Sequence, residues 1–67
     1  MQRKVRNAIR LVERDGWYQV RMRGSHRQFH HPVKRGTVSI PGHPGEVLPK
    51  GTWVGIMRQA GLRGRER

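Results

Sequence analysis

Between Lys4 and about Arg14, the apolar residues Val5, Ala8, Ile9 and Val12 fall at i, i+3, i+4 and i+7. That spacing lays one apolar stripe along a helix. Leu11 widens the stripe, while Arg3, Arg6, Arg10 and Arg14 point elsewhere. Asp15-Gly16 follows, and glycine readily takes the left-handed conformation that ends a helix. The period then shortens to two. Tyr18, Val20 and Met22 alternate with Gln19, Arg21 and Arg23, which predicts a half-buried strand. Gly24-Ser25 interrupts it as a tight turn or bulge. A second strand is expected through Arg27, Gln28, Phe29, His30 and His31, then a turn loop from Pro32 to Gly36 carrying Lys34 and Arg35. Thr37 to Ile40 reads as a third short strand, with Val38 and Ile40 on one face.

The run Pro41-Gly42-His43-Pro44-Gly45 fits neither helix nor regular strand and is expected to be a surface loop. A last helix begins near Pro49, since proline suits the first helical turn. Trp53, Ile56, Met57 and Ala60 repeat the helical stripe, Gly61 ends it, and Leu62 folds back on its last turn. Gly55 inside this helix is unfavourable by about 1 kcal/mol against alanine, and close packing on the sheet is the expected reason for it. Residues 1–62 therefore form one domain, and 63–67 a frayed basic tail.

Strands joined by turns this short run antiparallel. Two amphipathic helices then cover one face of a three-stranded sheet and leave the other open. The predicted class is α+β, with the α-β-β-β-α order of a double-stranded-RNA-binding domain.

Size and charge narrow what such a domain does. A chain of 67 residues buries only about 60% of its unfolded surface. With 33% hydrophobic residues there is material for one thin core, so any chemistry sits on an open surface where a polymer lies across it. Fifteen Lys and Arg, most of them Arg, stand against four Asp and Glu, a net charge of +11. That imbalance marks a polyanion binder, and the planar guanidinium suits phosphate. An acidic protein partner is compatible with the same charge. A membrane surface is not expected, because no segment is an amphipathic run with enough large apolar residues. With no cysteine, disulfides are excluded and a reducing cytoplasm is the expected compartment. No apolar run has the length of a signal peptide or membrane span.

Catalysis near neutral pH most often uses histidine, and the chain has His26, His30, His31 and His43. The four acidic residues, Glu13, Asp15, Glu46 and Glu66, are too scattered to suggest a carboxylate pair. His26 follows the Gly24-Ser25 turn and opens a strand, so a rigid element holds it at a sheet edge between Arg23 and Arg27. RNA carries its own nucleophile, the 2′-hydroxyl. A histidine that takes its proton, with Arg and Lys on the phosphate, would cleave the strand without metal or cofactor. The plainer role for His26 is a hydrogen bond to phosphate or a strand cap. A metal site is not expected, because adjacent His30 and His31 face opposite ways on a strand and cysteine is absent. His43, in its Pro/Gly loop, is expected to be structural or to support the site. Trp53 on the apolar stripe is expected in the core, and Trp17 as the anchor of the first helix on the sheet.

The segment DGWYQVRMRGSHRQFHHP, Asp15 to Pro32, resembles the signature of HicA toxins: Gly-Trp after the first helix, then Gly-Ser-His and an aromatic three residues on. VSIPGHPGEVLPKGTWVGIMRQAGL, Val38 to Leu62, is similar to the family's second half, with its Pro-rich loop, Pro-Lys-Gly-Thr helix start and Gln-Ala-Gly-Leu ending. The pattern is departed from at Trp53, where a smaller aliphatic residue is common, and at Gly55. The resemblance implies a ribosome-independent endonuclease of messenger RNA whose essential histidine falls on His26. It also implies an acidic, inhibitory HicB-like antitoxin, with operator DNA reached only through the toxin-antitoxin complex. On this reading Gly24 and Ser25 shape the turn, Arg23, Arg27, Lys34 and Lys50 hold phosphates, and no cofactor is needed. The competing readings are a non-catalytic RNA-binding module of the same fold and a protein whose main task is capture by its antitoxin.

Overall fold

The computed structural model describes residues 2–62. In chain order it contains helix α1 (Val5–Arg14), strands β1 (Tyr18–Arg23), β2 (His26–His30) and β3 (Val38–Ile40), and helix α2 (Lys50–Gln59). The basic tail expected at 63–67 lies outside the described residues.

On α1, Val5, Ala8 and Val12 are buried, and Ile9 and Leu11 pack against the core from its margin. Among the described residues no side chain caps the start of this helix. Instead the Val5 N–H donates to the Glu46 carbonyl (2.9 Å) and the Arg6 N–H to that of Pro44 (3.0 Å). The loop after β3 thus satisfies donors that a helix leaves open at its N-terminus. The far end is closed by glycine. Gly16, at φ 108°, donates to Glu13 O (3.0 Å) and Trp17 to Val12 O (3.0 Å), the double bond of a Schellman ending. The end of α2 repeats it, Gly61 to Arg58 O (3.1 Å) and Leu62 to Met57 O (2.7 Å). In each case the next residue, Trp17 or Leu62, drops into the core.

The three strands form one antiparallel sheet in the order β1-β2-β3. Phe29, Val38 and Ile40 face the helices and meet Val5, Ala8, Val12, Trp17, Leu48, Trp53, Ile56, Met57, Ala60 and Leu62 in a single core. The thinnest extent of the molecule is 17 Å, room for one sheet and one helix layer. The expected arrangement of two helices on one sheet face holds.

Two expectations about packing do not. The first is the half-buried β1. All six of its residues are exposed, because the helices pack on each other and on β3, so that β1 projects beyond them as an outer strand. A bulge at Val20 also breaks the alternation, so that Gln19 pairs with Phe29 while Arg21 pairs with Gln28. Tyr18 and Met22 therefore end on opposite faces, opposite His30 and Arg27 respectively. The second is Gly55: a Cβ built there meets nothing within 4 Å among the described residues. Close packing is not the reason for this glycine.

The two helices run parallel. At one end, the loop from Gly42 to Leu48 joins the starts of both: Leu48 N–H donates to Arg3 O (2.6 Å), and Pro49 is the residue before α2. At the other end, Lys34 Nζ donates to Asp15 Oδ2 and to the Ala60 carbonyl (3.0 Å), clasping the end of α1 to the end of α2.

Candidate functional site

The turn between β1 and β2 is two residues long, with Arg23 and His26 paired across it. Gly24 has φ 60° and Ser25 has negative φ, the pattern of a type II′ turn, which needs glycine first and matches the twist of the strands. A tight hairpin leaves no slack in register. His26 therefore lies directly across from Arg23, the next rung pairs Met22 with Arg27, and the one after pairs Arg21 with Gln28.

Alternation then sorts the side chains. Phe29 is buried against the helices, so Arg27 shares its face and His26, Gln28 and His30 share the other. Across the hairpin, Arg23, Arg21 and Tyr18 are the partners of those three. The open face thus carries three rungs: Arg23 with His26, Arg21 with Gln28, and Tyr18 with His30. The outer two rungs are four residues apart on β2, about 13 Å. Among the described residues, none of these six side chains has a hydrogen bond or ion pair. They form a basic and aromatic platform.

Residues singled out from the sequence are distributed unevenly around it. His26 and Arg23 are together on the open face, and Gly24 and Ser25 form the turn that joins them. Arg27 is on the helix side, where Nη1 donates to the Gly42 carbonyl at 2.9 Å. That bond also draws the loop of His43 to the His26 end of the sheet. His43 is exposed, its N–H bonded to Glu46 Oε1 (2.5 Å). Lys50 is exposed in the first turn of α2, at the same end of the molecule. Both helices direct their N-termini to that end, each adding roughly half a positive charge. Lys34 is at the opposite end, committed to Asp15 and Ala60. His31 is tied in beside it: Nε2 donates to the Asp15 carbonyl (2.8 Å), and Nδ1 accepts from the Val33 and Lys34 N–H groups (3.0 Å each). With two N–H groups on Nδ1, the ring carries its proton on Nε2. His31 is structural.

Arg21, Gln28, His30 and Tyr18 are members of this face that the one-dimensional reading passed over. The signal was present as the two-residue spacing of His26, Gln28 and His30. The cross-strand partners were hidden because the bulge at Val20 shifts the register.

Other features do not compete with this face. Among the described residues no three His, Cys, Asp or Glu side chains come together as a metal site, and no helix is long and apolar enough to cross a membrane. A shallow cleft of about 180 Å³ is lined by Asn7, Arg10, Leu11 and Arg14. Its lining is on α1 alone, and α1 packs on the covered side of the sheet.

Fold and face together define a small, strongly basic α-β-β-β-α protein whose three-stranded sheet is open on one face. The family model described as the HicA toxin of bacterial toxin-antitoxin systems matches residues 5–62, the span from the first residue of α1 to the Leu62 closure of α2. The chain belongs to the HicA toxin family, and its role is that of a toxin with an antitoxin as partner. No curated protein matches it.

Proposed function

We propose that this toxin is an endoribonuclease that cuts messenger RNA with His26 as the catalytic base. The observation that carries the reading is the Arg23–His26 rung: an exposed imidazole and a guanidinium, paired across a rigid two-residue turn, neither side chain bonded to another among the described residues. His26 takes the proton of a ribose 2′-hydroxyl. The O2′–P bond forms as the P–O5′ bond breaks, leaving a 2′,3′-cyclic phosphate, and O5′ takes a proton from water. Arg23 stabilises charge on the phosphoryl oxygens as it builds. Lys50, Arg27 and the two helix N-termini add positive potential at this end. Lys34, in its clasp, contributes to the long-range field alone. Nothing in this step requires a metal or cofactor, since substrate supplies the nucleophile.

An acidic HicB-like antitoxin is the expected inhibitor, neutralising the +11 surface, and operator DNA is reached through that complex. The substrate and the partner place its action in the cytoplasm.

The test compares purified parent and His26→Ala proteins on messenger RNA in the presence of a chelator. General-base assistance contributes typically about 10²- to 10⁴-fold, so His26→Ala should lose at least that order of cleavage while melting like the parent. In cells, only the parent expressed without the neighbouring reading frame should arrest growth. Equal cutting by His26→Ala removes the assignment.

One observation favours a second reading. Among the described residues, His26 has no carboxylate or carbonyl orienting its ring. A non-catalytic RNA-binding module would look the same. It predicts a shifted RNA band with intact RNA under the same conditions.

A further inference from the structure

The chain has four aromatic residues besides histidine. Trp17, Phe29 and Trp53 are buried at 2%, 0% and 5% exposure, and all three are in the core. Tyr18 is 51% exposed. It lies on β1, whose residues are all exposed, on the same sheet face as His26 and directly across from His30. The Tyr18 ring fills no core gap, and its hydroxyl has no partner among the described residues.

We propose that Tyr18 and His30 form a nucleobase-stacking subsite for single-stranded RNA at the far end of the open face from His26. This rests on the reading of that face as an RNA surface and adds which form of RNA it takes and how the strand lies. A base laid on the Tyr18 ring gains stacking that any base provides, with His30 at its polar edge. The rung between, Arg21 with Gln28, offers a guanidinium to the connecting phosphate. The two end rungs are about 13 Å apart along β2. A stacked strand advances about 3.4 Å per nucleotide, and an unstacked one more, so the anchored base and the cleaved bond are separated by no more than about four nucleotides. Duplex RNA keeps its base faces covered, so it cannot use this subsite. A second copy of this chain is not the occupant, because each copy carries +11. The alternation of Arg21 and Arg23 with the aromatic position is the pattern of single-strand binding surfaces.

The experiment uses His26→Ala protein, so that binding is measured whether or not the parent cuts. Fluorescence anisotropy follows an eight-nucleotide single-stranded RNA, and a duplex of the same length, across a salt series. Tyr18→Ala and Tyr18→Leu are added to the His26→Ala background; the leucine keeps β1 apolar but has no π face. Stacking on one base predicts that both weaken single-strand binding about 5- to 20-fold with an unchanged salt slope. Tyr18→Phe should bind normally, duplex affinity should not move, and Val20→Ala should have no effect. The subsite is refuted if Tyr18→Leu binds the single strand as tightly as its background, or if single strand and duplex weaken equally. It is also refuted if Tyr18→Leu abolishes antitoxin capture while RNA affinity stays, which would make Tyr18 a protein contact. Failure of the parent to cut RNA would remove the nuclease reading and leave the binding arms intact. Normal cutting with unaltered Tyr18→Leu binding would do the reverse.

Discussion

Replacing His31 by alanine removes three hydrogen bonds and an aromatic contact at one point of the structure. The bonds are Nε2 to the Asp15 carbonyl, and the Val33 and Lys34 N–H groups to Nδ1. The ring also stands edge-on to Trp17, with centroids 5.2 Å apart and planes at 65°. Each net hydrogen bond contributes about 0.5–1.5 kcal/mol, and an edge-to-face pair roughly as much again. Val33 is exposed and its N–H returns to water, whereas the Lys34 N–H and the Asp15 carbonyl are partly buried. Discounting the first, the loss is about 2–3 kcal/mol. A domain of this length has on the order of 3–10 kcal/mol in total. At about 4–8 °C per kcal/mol, the midpoint falls by some 10–20 °C. Thermal unfolding followed by tryptophan fluorescence measures this, with Trp17 beside the deleted ring. The matched control is His26→Ala, at an exposed side chain with no hydrogen bond among the described residues, which should stay within about 0.5 kcal/mol of the parent. A His31→Ala midpoint within about 3 °C of the parent, or an equal loss in His26→Ala, would refute the division into one structural and one functional histidine.

Three further outcomes follow from positions with defined surroundings. Gly55→Ala should raise stability by about 0.5–1 kcal/mol in urea unfolding, since the new methyl meets nothing and the helix gains propensity; a loss would mean a contact the structure lacks. Gly16→Ala should destabilise by more than about 1–2 kcal/mol, the ordinary left-handed penalty, because φ is +108° and its Cβ would stand 2.8 Å from His31 Nε2. A parental midpoint would contradict both the strain and the crowding. In RNA titrations against salt, Arg23→Ala should lower the slope by about 1, while Lys34→Met should leave it unchanged and instead lose about 1–2 kcal/mol of stability with its bonds to Asp15 and Ala60. Reversal of that pattern would place Lys34 on phosphate.

Much of the site was legible along the chain because its frame is local. Gly24-Ser25 announces a hairpin, and His26 as the residue after it is rigid by position alone. Its true neighbours were less so. Arg27 is adjacent to His26 in sequence yet on the other face, held by Gly42 O. Arg23, three residues back, is the partner across the turn. Peptide neighbours on a strand point apart, and cross-strand neighbours are set by register. The bulge at Val20 removed the simple rule for counting back to Arg21 and Tyr18.

The element order, the apolar stripes of both helices and their glycine endings were settled within runs of a few residues, because period and propensity are properties of adjacent positions, and the net charge of +11 follows from composition alone. Folding in three dimensions decided which elements cover which. It left β1 outside the helix layer, brought Leu48 into the core and seated the start of α1 on carbonyls some forty residues away. It also drew Lys34 into a clasp and left Tyr18 on the open face with His26. These outcomes depend on distances between segments remote in the chain, and no local pattern encodes them.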